Sequence, residues 1–556
     1  MTVETTEKRN SANHMSLSAI WLFGAIVIGR MLGFIRESAL AYVFGASPEV
    51  DAFIVAQTIT FLLFSFLGPA IWNAGIPVLT DLFAKDQSRH RRQYRNTVWS
   101  FFHLIVIVTG LFMVIGYFIT PALIHLVAPG FDSYRDQMAI HLTRAMLPVI
   151  LFFGLAGWAS LVLQSQNRFG SYAMSYLPNN LISIAGILMS AFTGNILLVA
   201  VATMLGIAGQ FLVQLPGLFS TKYKLSFNLK NAEFVKIMKL APSTIFTEMG
   251  NQLNTVFDRI FGSGLQAGSI ASLGYGQRAF NLVTGVIQMP IIIVLFPKLS
   301  AQSATGDNNG FVRLLGKGLG LLSYLMIPAA AGLMMLSVPI TQLLFERGAF
   351  ESSATLVTAS IVFFYAISLP FLSWRDLLIR SFYAMKDSKT PVTSTIVMVV
   401  ANVGLNFLIV PLWGVKALAI SSTFGVVVST LFSYAVIRFR FKMYMAHIRI
   451  FYEAIVKSVL ATAGMVGVVY LTSEFSGIRF TGREDMSSLR LALSVVMVIA
   501  LAAISYVAFS FLLRSKENMY CFSVVRGYLD KVLSRLTRKM NILQTKRSGE
   551  VEASDH

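Results

Sequence analysis

The sequence predicts an all-α polytopic membrane protein with fourteen transmembrane helices, arranged as two six-helix lobes followed by two C-terminal helices. Hydrophobic residues make up 55% and charged residues 13% of its 556 positions, a balance that soluble domains do not have. Apolar stretches of about 20 residues, the length that crosses a bilayer as a helix, recur from one end of the chain to the other. The basic residues cluster in the short segments between these stretches, as is typical of a multi-pass protein.

Polar loops divide the chain into fourteen apolar spans. They lie near residues 16–44, 51–83, 97–122, 137–163, 171–192, 196–219, 235–262, 267–297, 311–340, 353–384, 391–411, 415–437, 453–472 and 489–513. Residues 1–15 are a predicted cytoplasmic N-terminal segment. No signal peptide is indicated there, because the long first span that follows lacks a small-residue cleavage site.

The distribution of Lys and Arg tests this number of spans. With the N-terminus placed in the cytoplasm, nineteen Lys and Arg residues fall in cytoplasmic segments and six on the opposite side. A missed span would move every later loop to the opposite side of the membrane and remove this excess of basic residues in the cytoplasm. Both termini are therefore predicted to be cytoplasmic. The formal net charge of +19 is therefore interpreted as a topology signal and not as a nucleic-acid-binding surface.

An internal repeat relates the two halves of the chain. Phe44-Gly45-Ala46 recurs as Phe261-Gly262-Ser263, at an offset of 217 residues. Six spans separate the copies, so the two lobes are predicted to have the same orientation, with chance matching as the alternative. The predicted divisions are 16–219 for the N-lobe, 220–437 for the C-lobe, 438–513 for the last two helices and 514–556 for a basic cytoplasmic tail.

Fixed charge lies within the first span, at Arg30, Arg36 and Glu37. An Arg near the bilayer centre costs about 2.5–3.5 kcal/mol even on a mild insertion scale, and it is tolerated mainly where it faces a bundle interior or a wet cavity. On a helix, Arg30 and Glu37 share a face and Arg36 lies roughly 120° away. The sequence therefore predicts a protein that handles an anion within the membrane.

A series of short motifs runs in order through the chain, to about residue 513. They are Arg30-Met-Leu-Gly-Phe-Ile-Arg36-Glu37, Val50-Asp51-Ala-Phe53, Ala128-Pro-Gly-Phe131, Asn167-Arg168-Phe169, Tyr275-Gly-Gln-Arg278, Arg347-Gly-Ala-Phe350 and Phe382-Tyr-Ala-Met-Lys-Asp387. Together they resemble the MurJ/MviN family, whose members are lipid II flippases of the multidrug/oligosaccharidyl-lipid/polysaccharide exporter superfamily.

The resemblance implies a substrate and a site. The substrate would be undecaprenyl-pyrophosphate carrying a disaccharide-pentapeptide, moved from the inner to the outer leaflet of the bacterial cell membrane by alternating access of two lobes. Arg30, Arg36 and Arg278 match the family's cavity arginines, and Asp51 matches its acidic residue at the start of the second helix. The predicted substrate-binding residues are therefore Arg30, Arg36, Arg278, Asp51 and Glu37.

The chain departs from the family in its second span. Many members carry paired arginines there and a Glu-Gly a few residues later, whereas this chain has Phe64-Ser65 and Pro69-Ala70. The departure keeps open a second interpretation, an exporter of another polyprenyl-linked oligosaccharide of capsule, exopolysaccharide or O-unit type. A third is a cation-coupled small-molecule antiporter, for which an acidic cavity would be expected in place of a cationic one.

Structural roles are alternatives for several of these charges. Arg36 and Glu37 would then form a packing ion pair near a helix end. Arg278 would pair with Asp258 or Glu248 of the preceding helix. In both cases the charge would be balanced within the protein.

A cation site is predicted in the second lobe. Asn402 and Asn406 are four residues apart and share a helix face, and with Asp258 they offer oxygen ligands that suit a hard cation. At matching positions some family members bind sodium, with an acid where Asn406 stands. Sodium is therefore a candidate ligand and not a required cofactor, and interhelical amide hydrogen bonding is the alternative.

No enzyme signature competes with transport, and the chain is predicted not to be an enzyme. The sequence has no GxxxxGKS/T loop and no GxSxG motif, it has a single cysteine, Cys521, and its seven His show no pair at metal-ligand spacing.

The predicted partners are the glycolipid and membrane lipids, without nucleic acid, and the predicted functional unit is a monomer. Gly68-Pro69 and Pro290 predict bends in spans two and eight, and residues 519–543 predict a basic amphipathic helix on the inner leaflet.

Overall fold

The computed structural model describes residues 28–519 apart from 66–67, 85–87, 167, 219–222, 227, 229–230, 442–448 and 477–487. Its regular structure over these residues is helical throughout, with one π-helical turn. Ten helices are long and apolar enough to cross a membrane, and the bent pair Ser352–Ile367 and Leu369–Ala384 gives an eleventh span if counted as one. The described part of the chain therefore has the predicted all-α polytopic architecture.

The first lobe contains several divided spans. Its helices are α1 (28–44), α2 (Pro48–Ser65), α3 (Gly68–Ala84), α4 (Ser88–Val127), α5 (Ser133–Met146), α6 (Pro148–Ser165), α7 (Phe169–Met174), α8 (Tyr176–Thr193), α9 (Leu197–Leu212) and α10 (Leu215–Leu218). Two of the divisions follow from residue type. Pro148 begins α6, where its missing N–H breaks no helical hydrogen bond, and Gly68-Pro69, where a bend is predicted, begins α3.

The second lobe and the two C-terminal helices follow in the chain. They are α11 (Ala232–Ser263), α12 (Ser269–Val283), the π-turn (Thr284–Gln288), α13 (Met289–Ala304), α14 (Asn308–Met335), α15 (Ser337–Phe345), α16 (Ser352–Ile367), α17 (Leu369–Ala384), α18 (Lys389–Trp413), α19 (Val415–Arg440), α20 (Arg449–Ser476) and α21 (Ser488–Leu512). The predicted bend at Pro290 is preceded by the π-turn. The last two helices pack on each other and on α14.

Each of the fourteen predicted spans coincides with helix in the described residues. Three predictions fall wholly or largely outside them: the segment 1–15, the first part of the first span (16–27), and the basic amphipathic helix of the tail, of which only residue 519 is described.

The lobes share one apolar core. Its buried residues include Ile59 of α2 and Leu142 of α5 in the first lobe, and Ile270 and Leu273 of α12 in the second. In addition, α11 packs both on α3 and on α18. Polar groups trapped between the lobes must therefore find their partners within the protein, in water or in a ligand, since lipid offers none.

Candidate functional site

A polar chamber of about 280 Å3 lies between the lobes. Its walls come from α1 and α2 of the first lobe and from α11 and α12 of the second. The charged and amide side chains that line it are Glu37, Gln57, Gln252, Arg259, Gln277, Arg278 and Asn281. Ionisable groups at membrane depth are costly and mark functional sites, so this chamber is the candidate site.

Glu37 joins the two lobes at the chamber. Its Oε1 accepts a hydrogen bond from Arg36 Nη2 at 2.7 Å and lies 3.2 Å from Nη1 of Arg278, on α12 of the other lobe. One carboxylate thus balances two guanidinium groups, and the cluster keeps a net positive charge. The ion pair between Arg36 and Glu37 is confirmed, whereas the predicted pair of Arg278 with Asp258 is wrong, because Arg278 pairs with Glu37. The other predicted partner, Glu248, lies outside the residues whose side chains are described. The Arg278 side chain is 43% exposed and remains able to reach a ligand.

Arg30 lies two helical turns before Glu37 on α1. Its guanidinium lies against Gly285, where an added Cβ would overlap Nη1. Gly285 belongs to the π-turn and follows Arg278 by seven residues. The two helices therefore run antiparallel and meet at two levels, Arg30 with Gly285 and Glu37 with Arg278. A π-turn is rare and is frequent at functional sites; here its glycine gives the Arg30 side chain its space.

Asp51 is not among the residues that line the chamber. Its fully buried carboxylate caps α12: Oδ2 accepts a hydrogen bond from Gly268 N and Oδ1 accepts one from Ala271 N, both at 2.7 Å. Oδ2 also lies 3.7 Å from Nη1 of Arg135. The structure thus places the predicted substrate-binding Asp51 at the interface beside the chamber, because the first turn of α2 faces the start of α12.

Three glycines with positive φ bring the backbones of the two lobes into direct contact around this cap. They are Gly45 (φ +60°), Gly268 (φ +85°) and Gly348 (φ +61°). A Cβ on any of them would overlap a backbone oxygen of the opposite lobe. Beside them, Ala349 N donates to Tyr42 O at 2.9 Å. All of these segments are loops or helix ends on the predicted outer side, so we refer to this group of contacts as the outer seal.

A larger chamber of about 830 Å3 lies within the second lobe and adjoins the first, since Gln277 and Asn281 line both. Its buried Arg375 already has protein partners: Nε donates to Ser429 Oγ at 2.8 Å and Nη2 donates to Thr395 Oγ1 at 3.1 Å. The chamber with the larger volume is therefore not the one with the excess of positive charge. The smaller one, lined by two arginines and one carboxylate among its charged residues, is the candidate anion site.

The predicted cation ligands meet at the edge of the larger chamber. Asn402 Nδ2 donates to Asn254 Oδ1 at 2.7 Å and to Ser422 Oγ at 3.1 Å, and Asn406 Nδ2 donates to Asn402 Oδ1 at 2.6 Å. Two buried oxygens, Asp258 Oδ1 and Asn406 Oδ1, have no hydrogen-bond partner among the described residues. The amide hydrogen bonds that the sequence offered as the alternative to sodium are thus present.

The second span contributes no positive charge to the chamber. Phe64 stacks on Phe153, with ring centroids 5.1 Å apart at 23°, and Ser65 Oγ donates to Leu62 O at 2.8 Å. Both side chains are buried. The positions at which many family members carry arginines are therefore packed against protein in this chain.

Arg259 also lines the smaller chamber, although no sequence motif marks it. In the sequence it adjoins Asp258, which makes the two look like a balanced pair. Neighbours on a helix point about 100° apart, and in the structure Asp258 lines the larger chamber and Arg259 the smaller one. The signal that could have found it is an Arg inside an apolar span, as at Arg30 and Arg278.

The sequence is similar to known proteins over most of its length. The family profile described as "Lipid II flippase MurJ" matches residues 40–482. A probable lipid II flippase MurJ of Buchnera aphidicola subsp. Schizaphis graminum is 29% identical over 378 residues, which are 66% of this chain and 73% of that protein. The lipid II flippase MurJ of Burkholderia cenocepacia is 26% identical over 500 residues, which are 87% of this chain and 94% of that protein.

Solved structures agree with this likeness at the level of the fold. A lipid II flippase MurJ in an inward closed conformation superposes with a TM-score of 0.74 at 24% identity, over 89% of this chain and 98% of that one. An inward-facing multidrug resistance transporter of the MATE family gives a TM-score of 0.63 at 13% identity, over 76% of this chain and 99% of that one. Because the family profile covers well over half of the sequence, the chain belongs to the MurJ family of lipid II flippases.

Proposed function

We propose that the chain is a lipid II flippase, which moves an undecaprenyl-pyrophosphate carrying a disaccharide-pentapeptide across the membrane. The observation that carries the proposal is the cluster of Arg36, Glu37 and Arg278, in which two guanidinium groups at the lobe interface share one carboxylate. A guanidinium binds phosphate oxygens bidentately and stays protonated in a low dielectric. Family membership supports the same substrate class.

The cluster also provides a way to couple binding to movement of the lobes. The pair of Glu37 and Arg278 joins α1 to α12 across the interface. A pyrophosphate that enters the chamber competes with Glu37 for both arginines, and each guanidinium it captures removes part of the attraction between the lobes. Arg30, exposed two turns away on the same helix, is positioned to meet the head group before it reaches the chamber. Substrate binding then favours separation of α1 from α12, as alternating access requires.

The direction and topology belong to the same proposal. The loop charges support cytoplasmic N- and C-termini, and with that orientation the outer seal is the gate on the side of product release. Transport would then run from the inner to the outer leaflet of the bacterial cell membrane, with a monomer as the functional unit. A cysteine introduced at the exposed Ser352 should react with an impermeant maleimide in intact cells, and its failure to react would reverse the orientation.

Sodium is proposed as a bound ion of the second lobe. Asp258, Asn402 and Asn406 would hold it, and the two buried oxygens without partners support this assignment. The ion would stabilise the packing of α11 against α18. Sodium should raise the melting temperature of the purified protein, this rise should persist in Arg278→Ala, and it should vanish in Asp258→Ala. A rise of the same size in Asp258→Ala would exclude this site.

The decisive test of the function is genetic and biochemical. The gene should restore growth to a bacterium depleted of its own lipid II flippase, and Arg278→Ala should fail to do so at an equal level in the membrane. Arg144→Gln serves as the control, because Arg144 lies over the ring of Tyr117 and does not line the chamber. Growth restored equally by Arg278→Ala would remove that residue from the site.

The packed second span favours one other candidate. With Phe64 and Ser65 in place of arginines, the chamber lacks charge that many family members have, and an exporter of another polyprenyl-linked oligosaccharide would fit the same cluster. Growth rescue separates the two candidates, since an exporter of that kind would leave the depleted cells without outward lipid II.

A further inference from the structure

Arg259 is a buried cation for which the described residues provide no ion pair. Its side chain is 5% exposed, and two of its nitrogens, Nε and Nη1, are fully buried without a hydrogen bond among the described residues. No carboxylate of the described residues lies within ion-pair distance of it. Proteins pair, hydrogen-bond or neutralise charges that are buried this deeply. A bound anion would therefore supply the hydrogen-bond acceptors and the negative charge that Arg259 lacks.

The surroundings of Arg259 indicate where that anion would lie. Arg259 lines the smaller chamber together with Arg278 and the amide side chains of Gln57 and Gln252. Asp258, its neighbour in sequence, lines the larger chamber instead, which accounts for the missing ion pair. The smaller chamber thus holds two guanidinium groups, only one of which is paired with Glu37.

We propose that Arg259 is a second phosphate-binding arginine of the smaller chamber and that it contacts the pyrophosphate group of the lipid-linked substrate together with Arg278. It supplies from α11 the positive charge that α2 lacks, since Phe64 and Ser65 stand where many relatives carry arginines. One guanidinium binds one phosphate through two parallel hydrogen bonds. Two guanidinium groups on adjacent helices therefore suit two linked phosphates. This assignment rests on the proposed function and makes it specific to the pyrophosphate.

The test compares ligands and variants of the full-length purified protein. The melting temperature is measured with a long-chain polyprenyl pyrophosphate, with the matching monophosphate and with inorganic pyrophosphate, and an apparent affinity is taken from each titration. In the unchanged protein the pyrophosphate lipid should bind more tightly than the monophosphate lipid. In Arg259→Gln this preference should fall about tenfold or more, the effect of losing charge-assisted hydrogen bonds. Arg144→Gln is the matched control, because Arg144 also has a buried Nε without a partner but does not line the chamber, and it should keep the preference.

The outcomes separate this inference from the proposed function. If the unchanged protein does not respond to the pyrophosphate lipid, both fail. If it responds and Arg259→Gln keeps the full preference, only the role of Arg259 is overturned. If inorganic pyrophosphate acts as strongly as the lipid, the assignment to a lipid-linked ligand is overturned. Should Arg259→Gln not be recovered folded, Arg259→Lys carries the test, because it keeps the charge and loses the planar fork; a Lys variant with the unchanged preference would contradict the proposal.

Discussion

The starts of α2 and α12 occupy equivalent places in the two lobes and face each other, yet their chemistry differs. The start of α2 carries two acids, Glu49 and Asp51, whereas the first turn of α12 carries none. Asp51 satisfies two amides of α12, those of Gly268 and Ala271, which lie 217 and 220 residues further along the chain. The return contact is neutral: Tyr275 of α12 donates its hydroxyl hydrogen to Gly45 O at 3.0 Å.

The two regions between the lobes differ in how their polar groups find partners. At the outer seal the Asp51 carboxylate of one lobe accepts hydrogen bonds from two backbone amides of the other. Further along the same pair of lobes, Arg278 shares the Glu37 carboxylate with Arg36, and two nitrogens of Arg259 have no hydrogen-bond partner among the described residues. The seal is therefore held by contacts within the protein, whereas the chamber is where we propose that a ligand binds. Three substitutions break or sharpen this comparison.

Removal of the Asp51 carboxylate should have the largest effect on stability. In Asp51→Ala the amides of Gly268 and Ala271 lose their acceptors, and Arg135 loses a nearby charge. Each buried unsatisfied donor costs about 1–3 kcal/mol, so we expect a loss of roughly 2–5 kcal/mol, measured as a lower melting temperature of the purified protein, together with loss of transport.

Two variants bracket that result. Asp51→Asn keeps one acceptor oxygen and should recover part of the stability. Asp132→Ala removes a cap within a single lobe, where Oδ1 accepts a hydrogen bond from Arg135 N, and should cost about 1 kcal/mol. A loss in Asp51→Ala no larger than that in Asp132→Ala would show that the cap between the lobes adds nothing beyond an ordinary helix cap.

A methyl group at Gly268 should have the next largest effect, and it should act on the seal. The residue has φ +85°, and an added Cβ would overlap Ala46 O of the other lobe. Gly268→Ala therefore combines backbone strain of about 1–3 kcal/mol with a forced separation of the two backbones. We expect a lower melting temperature and faster maleimide labelling of a cysteine placed at Ser47.

The control for this substitution is Gly194→Ala. Gly194 has a similar φ of +65°, but no atom lies within 4 Å of an added Cβ, so it reports the strain without the clash. Gly194→Ala should lower the melting temperature less and leave labelling at position 47 unchanged. Equal labelling in the two variants would mean that the contact between Gly268 and Ala46 does not close the outer side.

The smallest effect is expected at Asp387, which caps α18 within the second lobe. It accepts hydrogen bonds from the amides of Lys389 and Thr390, from the Thr390 hydroxyl and from Arg440 Nη1. Burial raises the pKa of Asp387, but these hydrogen bonds outweigh it, and the net pKa lies below the ordinary value. Asp387→Ala should cost about 1 kcal/mol at pH 7, as a lost helix cap does.

The pH dependence of this effect follows from the sign of the shift. A carboxylate with a lowered pKa in the folded state contributes its stability above the pKa of the unfolded state, near 3.9, and loses it as the pH falls through the folded value. The difference in melting temperature between Asp387→Ala and the unchanged protein should therefore be constant from pH 7 to 5 and shrink below about pH 4. A difference that grows as the pH falls would contradict the assigned hydrogen bonds.

Local pattern was enough to predict the helices and part of the site. Apolar length and loop charge predicted fourteen spans, each of which coincides with helix in the described residues. A membrane helix makes all its backbone hydrogen bonds within one continuous segment, so the composition of that segment is enough to predict it. The cost of an Arg inside an apolar span identified Arg30 and Arg36 as candidate site residues, and the family resemblance added Arg278.

Pairing across the lobes was decided by the tertiary structure. The sequence did not indicate that Glu37 would bind Arg278, that Asp51 would cap a helix of the other lobe outside the chamber, or that Asp258 and Arg259 would face different chambers. Helical periodicity relates residues within a few turns. The contacts of Glu37 and Asp51 join residues more than 200 positions apart in the chain. Which residues meet depends on the faces that the two lobes present to each other once their apolar surfaces are packed.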